Sequence, residues 1–305
     1  MPAPCRLRRR PPRGVPPETS SDDGSRGPPP SIRKWRGRAR LAPERSKPGR
    51  RGYHPRSAHG GALATEAKTD HAEFSWTGRT GPFSLTLSPG VFAPSKTSLV
   101  LADALEVNGG EVVIDVGCGS GVLSLVAARL SAGRVYGCDV SPEAVAAAEA
   151  NAARLGLSDR TEFRVGNLLE PVADVSADVV IGDVSGIPDP VAEITGWFPE
   201  GRGGGPTGAE LPVAMLEGMG DCLKRGGRLY LPTGTIQAEN KVLEVARRVF
   251  GAANMEIVAE REFPLPNLVA RSKAVARLVS DGLLNLSLRG SRLLWRLAIW
   301  RCVRT

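Results

Sequence analysis

The sequence predicts an α/β fold: a Rossmann-like, doubly wound, mostly parallel seven-stranded sheet with a disordered N-terminal tail. Three observations carry this. From about residue 111, short apolar β runs alternate with amphipathic helical stretches, the pattern of a parallel sheet covered on both faces. The first of those runs passes directly into a glycine-rich turn and then a helix, Val112-Val113-Ile114-Asp115-Val116-Gly117-Cys118-Gly119-Ser120-Gly121. Residues 1–60, by contrast, hold 12 Pro, 14 Arg and 2 Lys with almost no aliphatic side chains. Such a segment buries too little apolar surface to offset its conformational entropy.

The expected organisation is therefore a basic, Pro/Arg-rich tail over 1–66, a substrate-side segment over 67–110 and the Rossmann-like domain over 111–305. Charge follows the same division. The chain carries +8, but residues 1–60 alone carry +12, and the remainder holds 24 basic against 28 acidic residues. The folded part thus offers no charge argument for binding nucleic acid. The tail reads as a basic arm for RNA or an acidic membrane surface, as a solvated segment without a task, or as an upstream extension of the true start. No run of 18 apolar residues occurs and no apolar stretch follows the basic N-terminus, so neither a membrane span, a membrane partner nor a secretory signal is expected. The five cysteines, at 5, 118, 138, 222 and 302, lack metal-ligand spacing. Their odd number suits reduced thiols in a cytoplasmic protein.

Order is expected from about Phe74. Residues 74–92 read as short strands broken by Gly and Pro. Ser95 is a fitting N-cap for a helix over Lys96–Leu105. Strands follow at Glu111–Val116, Arg134–Cys138, Thr161–Val165, Asp178–Gly182, Arg228–Leu231, Glu256–Glu262 and Leu294–Val303. Helices are expected at Gly121–Leu130, from Pro142 to Leu155, near Ala209–Leu223 and over Asn240–Phe250. Ser141-Pro142 supplies a cap and a first-turn proline for the second of these, and Gly156 ends it. Between strand four and the next helix, residues 184–208 form a long loop with many glycines and prolines, a length usually reserved for lids or substrate loops.

The glycine turn sits at the carboxyl end of the first strand, where open α/β sheets bind ligands. Its spacing is G-x-G-x-G, and Val122 stands where a dinucleotide fingerprint requires its third glycine. Asp115 precedes the turn by two residues. A carboxylate there repels a pyrophosphate and attracts an ammonium. S-adenosylmethionine has an ammonium, a sulfonium and no phosphate. Asp139, at the tip of the second strand, suits ribose hydroxyls. These residues resemble the class I S-adenosylmethionine-dependent methyltransferases of the methyltransferase small domain type, which includes the release-factor glutamine methyltransferases and some ribosomal RNA guanine methyltransferases. The resemblance covers about residues 83–235. It rests also on Ser88-Pro89-Gly90-Val91-Phe92-Ala93-Pro94, Asp139-Val140-Ser141-Pro142-Glu143-Ala144, Asn151-Ala152 and Gly204-Gly205-Pro206-Thr207-Gly208. It implies that Asp115, Gly117, Gly119 and Gly121 hold the methionine end of the cofactor and that Asp139, with Val140, holds the ribose side. Asn167 and Leu168 would lie by the adenine, with the Asn167 side-chain oxygen accepting from its amino group.

One departure concerns the methyl acceptor. The glutamine and guanine enzymes of this set carry Asn-Pro-Pro-Tyr or Phe after strand four; here the turn is Gly182-Asp183-Val184-Ser185-Gly186. Asp183 takes the place of the Asn, removing a donor and adding a charge. This turn suits an amine or guanidine better than an amide or a base nitrogen. Asp183, also beside the cofactor, and Ser185 are the candidate catalytic residues, with Asp189 as a second candidate base. The three histidines, His54, His59 and His71, all precede the domain, so neither a Ser-His-Asp triad nor a histidine metal site is expected, and no metal is assigned. Trp76, Phe83 and Phe92 either wall the substrate pocket or pack as core, whereas Trp295 and Trp300 read as core. The reading is a methyltransferase acting on a protein side chain or small-molecule nucleophile, N-methylation favoured. A ribosomal RNA methyltransferase and a non-catalytic, cofactor-binding homologue are the alternatives.

Overall fold

The computed structural model describes residues 72–196 and 203–305. The expected tail, the three histidines, Trp197 and Phe198 lie outside the described residues. In chain order the elements are β1 (Ala72–Trp76), β2 (Phe83–Leu87), α1 (Lys96–Ala104), β3 (Val112–Val116), α2 (Val122–Arg129), β4 (Arg134–Asp139), α3 (Pro142–Arg154), β5 (Thr161–Val165), β6 (Ala177–Ile181), α4 (Asp189–Thr195), α5 (Glu210–Glu217), β7 (Leu223–Gly234), α6 (Glu239–Phe250), β8 (Met255–Pro264), α7 (Asn267–Ala270), α8 (Lys273–Ser280), β9 (Ser287–Arg289) and β10 (Arg292–Val303).

The main sheet has eight strands, in the order β5-β4-β3-β6-β7-β10-β8, with short β9 pairing β10. Pairs from β5 through β7 are parallel, whereas β10 runs antiparallel to both β7 and β8. The seven strands expected from sequence are all present; β9 is the eighth. The chain builds outward from β3 in one direction as β4 and β5, then returns to place β6 on the other side. The cleft between β3 and β6 is therefore the topological switch point, where loops from adjacent strands diverge and leave room for a ligand.

Alternation along β3 explains the two layers. Val113 packs with Leu125, Val126 and Leu101 on one face, whereas Ile114 and Val116 pack with Met215, Leu229 and Val242 on the other. Trp76, Phe83 and Leu85 from the β1–β2 hairpin join the first layer. Trp76 and Phe83 are thus core residues, their rings 6.2 Å apart. Phe92 is 36% exposed. Trp295 packs on Phe263 at 5.3 Å, and the Trp300 indole donates to the Thr233 hydroxyl at 3.0 Å. At the opposite end of the sheet from the glycine turn, Arg228 grips Glu111 through two hydrogen bonds of 2.9 and 2.7 Å. That guanidinium holds the Glu111 carboxyl at about 2, despite an opposing contribution from burial.

Three local expectations change. The 184–208 segment is not a continuous loop, since Asp189–Thr195 is helical and starts with Pro190 in its first turn. The helix read over Ala209–Leu223 ends at Glu217, because Gly218 and Gly220 interrupt it and β7 already begins at Leu223. Two further helices, α7 and α8, follow β8, and with Val191 of α4 and Ile236 they form a third, smaller apolar cluster.

Asn151 on α3 connects the layers. Fully buried, it accepts from the Thr86 N–H at 2.7 Å and donates to the Thr86 carbonyl and the Ser120 carbonyl, each at 3.0 Å. One carboxamide thereby ties β2 and the glycine turn to the same helix. Replacing it by Leu leaves one buried N–H and two carbonyls unpaired. Asn151→Leu is expected to cost about 2–4 kcal/mol of unfolding free energy, read as the shift of the urea midpoint; a change below ~0.5 kcal/mol would show that the bonds contribute nothing net.

Candidate functional site

The carboxyl ends of β3, β4 and β6 bring three carboxylates to the switch point. Asp115 lies on β3, paired in register with Gly137 of β4 and Ile181 of β6. Asp139 ends β4, and Asp183 lies two residues past β6. Alternation along β3 puts Ile114 and Val116 in one layer and Asp115 on the face of Val113, where its side chain is buried against Ser124 of α2.

The glycine turn is shaped by backbone conformation. Gly117, Gly119 and Gly121 have φ of 76°, 53° and 83°, all in the left-handed region. The Gly117 and Cys118 N–H groups donate to the Cys138 carbonyl at 2.8 and 3.0 Å, binding the turn to the end of β4. A Cβ on Gly121 would lie 2.9 Å from the Ala148 Cβ, so that glycine lets α3 approach. Gly119 differs. Among the described residues, a Cβ there would meet only the Phe92 carbonyl, at 4.0 Å.

Asp115 is fully buried. Its Oδ2 accepts from the Ser124 hydroxyl at 2.6 Å. Its Oδ1 is buried without a hydrogen-bond partner. Burial pushes the carboxyl up to about 7; Ser124 partly offsets this, and the nearby Asp183 and Asp139 carboxylates add to it. Asp183 keeps part of its surface accessible, but its carboxyl is enclosed enough for burial to push it up to about 6, against the hydroxyl of Ser98, which donates to Oδ2 at 3.3 Å. Asp139 accepts from the Gly119 N–H at 2.9 Å through Oδ2 and from the Ser141 N–H at 3.0 Å through Oδ1. The same side chain thus orders the glycine turn and starts α3.

The other expected residues sit around this centre. Val140 follows Asp139 and is 71% exposed, an apolar side chain with no protein cover. Leu168 is half-buried with φ of 49°, and its carbonyl accepts from the Cys138 thiol at 3.0 Å. Asn167 is exposed, its amide nitrogen 3.5 Å from Glu170, which leaves the side-chain oxygen facing outward for other use. Ser185 accepts from the Ile187 N–H at 3.4 Å. Asp189 is occupied by structure: its Oδ1 accepts from the N–H groups of Gly203 and Gly205 at 2.9 and 3.2 Å. It fastens the glycine segment and does not stand free as a base. Residues that the sequence reading missed are Ser124 and Ser98, the partners of Asp115 and Asp183. Their signal was present, since Ser124 is the only polar residue before Arg129 in an otherwise apolar helix.

These features fit S-adenosylmethionine. An orphaned buried carboxylate oxygen with two further carboxylates beside it makes a site of concentrated negative charge. The vacant side of Gly119 and uncovered Val140 supply an uncharged, partly apolar surface next to it. Among the described residues, no group of His, Cys, Asp and Glu has the arrangement of a metal site, and no helix is long and apolar enough to cross a membrane.

Known proteins resemble the chain in the same region. The family described as ribosomal protein L11 methyltransferase (PrmA) matches residues 90–194. A ribosomal protein L11 methyltransferase of Yersinia pseudotuberculosis is 37% identical over 100 residues, 33% of either chain. A release factor glutamine methyltransferase of Moorella thermoacetica is 29% identical over 204 residues, 63% of this chain and 69% of that one. The crystal structure of a ribosomal protein L11 methylase from Lactobacillus delbrueckii subsp. bulgaricus superposes with a TM-score of 0.45 at 18% identity, over 72% of this chain and 84% of that one. The chain spans about a third of the length of the first of these relatives.

The raised carboxyl of Asp115 gives a test of the site's electrostatics. A carboxyl whose folded-state pKa lies above that of the unfolded chain takes up a proton on folding, so stability falls as pH rises from about 4 to about 7. Asp115→Asn removes this loss while keeping the shape. The variant is expected to match the wild type near pH 4 and to exceed it by on the order of 3 kcal/mol above pH 7, measured by thermal unfolding across that range; equal stabilities at pH 8 would show that the carboxylate is buried at no cost.

The glycine bend at the switch point, its carboxylates and the named sequence relatives agree with the resemblance seen in the sequence: over residues 90–194 the chain is similar to S-adenosylmethionine-dependent methyltransferases of the L11 type.

Proposed function

We propose that the protein transfers a methyl group from S-adenosylmethionine to a nitrogen of a protein side chain. The observation that carries the cofactor half of this reading is the unpaired, buried Oδ1 of Asp115 beside the open face of Gly119. In this reading Asp115 and Gly117–Gly121 hold the ammonium end, Asp139 the ribose hydroxyls, and Val140, Asn167 and Leu168 the adenine. The bound cofactor supplies an electrophilic methyl with a neutral leaving group, which needs neither a metal nor a covalent enzyme intermediate.

The chain's own part is to orient and to manage protons. Fixing the acceptor in line with the methyl lowers the barrier by up to roughly 7–11 kcal/mol in the best oriented systems. Asp183, pushed up to about 6 by burial, sits near the pH at which a carboxylate both exists and accepts a proton from an ammonium acceptor. Ser98 holds one oxygen of that carboxylate, and Ser185 stands two residues away on the same turn. A protein acceptor is supported by the named relatives, an L11 methyltransferase and a release factor glutamine methyltransferase, and by the excess of acidic over basic residues beyond residue 60. The basic first 60 residues favour RNA as the second reading; affinity for RNA that depends on them and falls steeply with salt would support it.

Two substitutions test the cofactor's placement. Asp139→Ala should weaken S-adenosylmethionine by about 1–3 kcal/mol, the cost of unpaired ribose hydroxyls. Gly119→Ala should fold with a loss of only about 1–2 kcal/mol, since a left-handed backbone is its one strain, yet lower cofactor affinity at least tenfold because the methyl group occupies the ligand's space. Calorimetric titration that finds wild-type affinity in either variant removes this assignment. Asp183→Asn should lower turnover far more than cofactor affinity, read by transfer of a labelled methyl group to purified L11 and release factor.

A further inference from the structure

The acceptor turn has lost the donor that an Asn would provide at position 183, but the structure places another donor against the same turn. Gln237, between β7 and α6, is only 4% exposed, and its Nε2 is buried with no hydrogen-bond partner. Only two other buried side-chain polar atoms are unpartnered among the described residues, Thr80 Oγ1 and Asp115 Oδ1. Native proteins rarely leave such a group unpaired, because its desolvation is uncompensated, and those that persist call for a reason.

The carboxamide packs on Gly186. A Cβ at that glycine would lie 2.0 Å from Gln237 Oε1 and 3.4 Å from Nε2. The oxygen therefore faces the Gly186 Cα–H, a weak donor, and the N–H2 group is turned to the side. Among the described residues, no backbone hydrogen bond engages the N–H or carbonyl groups of Val184, Ser185 or Gly186. The glycine segment covers this turn closely. A Cβ on Gly208 would lie 2.5 Å from the Gly186 carbonyl, and one on Gly204 would lie 2.2 Å from the Ser185 carbonyl. The Ala238 N–H, next to Gln237, donates to the Thr207 carbonyl at 2.9 Å. Gln237 thus stands where the acceptor turn, the glycine segment and the end of β7 meet.

Building on the methyltransferase reading, we infer that Gln237 is a positioning residue for the methyl acceptor, its amide N–H2 donating to a carbonyl or carboxylate oxygen adjacent to the nitrogen that is methylated. The acceptor engages it as the 203–208 segment parts from Gly186. This narrows the acceptor class: an amine or guanidine nitrogen that presents an oxygen acceptor close beside it, and not an isolated amine.

The test uses the full chain and Gln237→Leu. Because the amide is unpaired in the free protein, the variant should melt within ~2 °C of the wild type or above it. A fall of more than ~5 °C would show that the amide already supports the fold, and would overturn the inference. In nitrogen-15 spectra the Gln237 side-chain resonance, identified by its loss in the variant, should shift saturably with acetamide or acetate and not with methylammonium. No shift with either oxygen-bearing probe also overturns it. The titrations are run with and without S-adenosylhomocysteine, whose binding is measured separately by calorimetry. Failure to bind it refutes the cofactor reading, while the spectra recorded without it still decide the role of Gln237.

Discussion

The structure is organised around the burial of one carboxylate. Asp115 is buried on the Val113 face of β3, with one oxygen bonded to Ser124 and the other without a hydrogen-bond partner among the described residues. Taking an ionised group out of water is unfavourable unless a partner of opposite charge replaces the water. Here the nearest charges are two more carboxylates. The free protein relieves the strain by raising the pKa, and a cationic ligand would relieve it by neutralisation. Stability and affinity are therefore linked through one atom: the cost of the empty arrangement is part of what a positively charged ligand gains on binding.

The remaining architecture keeps that atom in place. The switch point puts β3 between β4 and β6, so Asp139 and Asp183 arrive beside Asp115 from neighbouring strands. The left-handed turn carries the chain away without covering Oδ1, and Asp139 fixes the turn by accepting the Gly119 N–H. Asn151 then binds the turn to α3 and to the β1–β2 hairpin. Polar groups at this end of the sheet thus serve two purposes. Each satisfies backbone groups that the turn leaves open, and together they fix the turn without any basic side chain that would compete for the carboxylates.

Much of this was legible in the sequence, for physical reasons. Strand β3, the glycine turn and helix α2 announce themselves because apolar runs, positive-φ glycines and a helix start are each local signals. Asp115 and Asp139 could be placed because their positions relative to that turn are set by strand length. What the sequence did not disclose depends on contacts between distant segments. Helix α4 is short and carries Pro190, so it resembled loop. Helices α7 and α8 are brief and are stabilised by a cluster with Val191 and Ile236, residues far away in the chain. Gln237 lies outside every element read from the sequence, and its burial against Gly186 depends on a contact with a distant turn.

The division between what is shared and what is particular follows the same line. The family match ends at residue 194, past the Gly182–Gly186 turn and before the glycine segment. The matched stretch holds the glycine bend, Asp115, Asp139, Asp183 and most of α4. The glycine segment, Gln237, α7, α8 and antiparallel β10 come from beyond it. A sheet of this kind can hold a ligand at its switch point while the elements after β6 differ; here β8 and β10 also pack against the matched stretch through α1. Acceptor specificity in this chain is therefore to be sought after residue 182, where the buried Gln237 amide lies against a turn whose own backbone groups are unengaged.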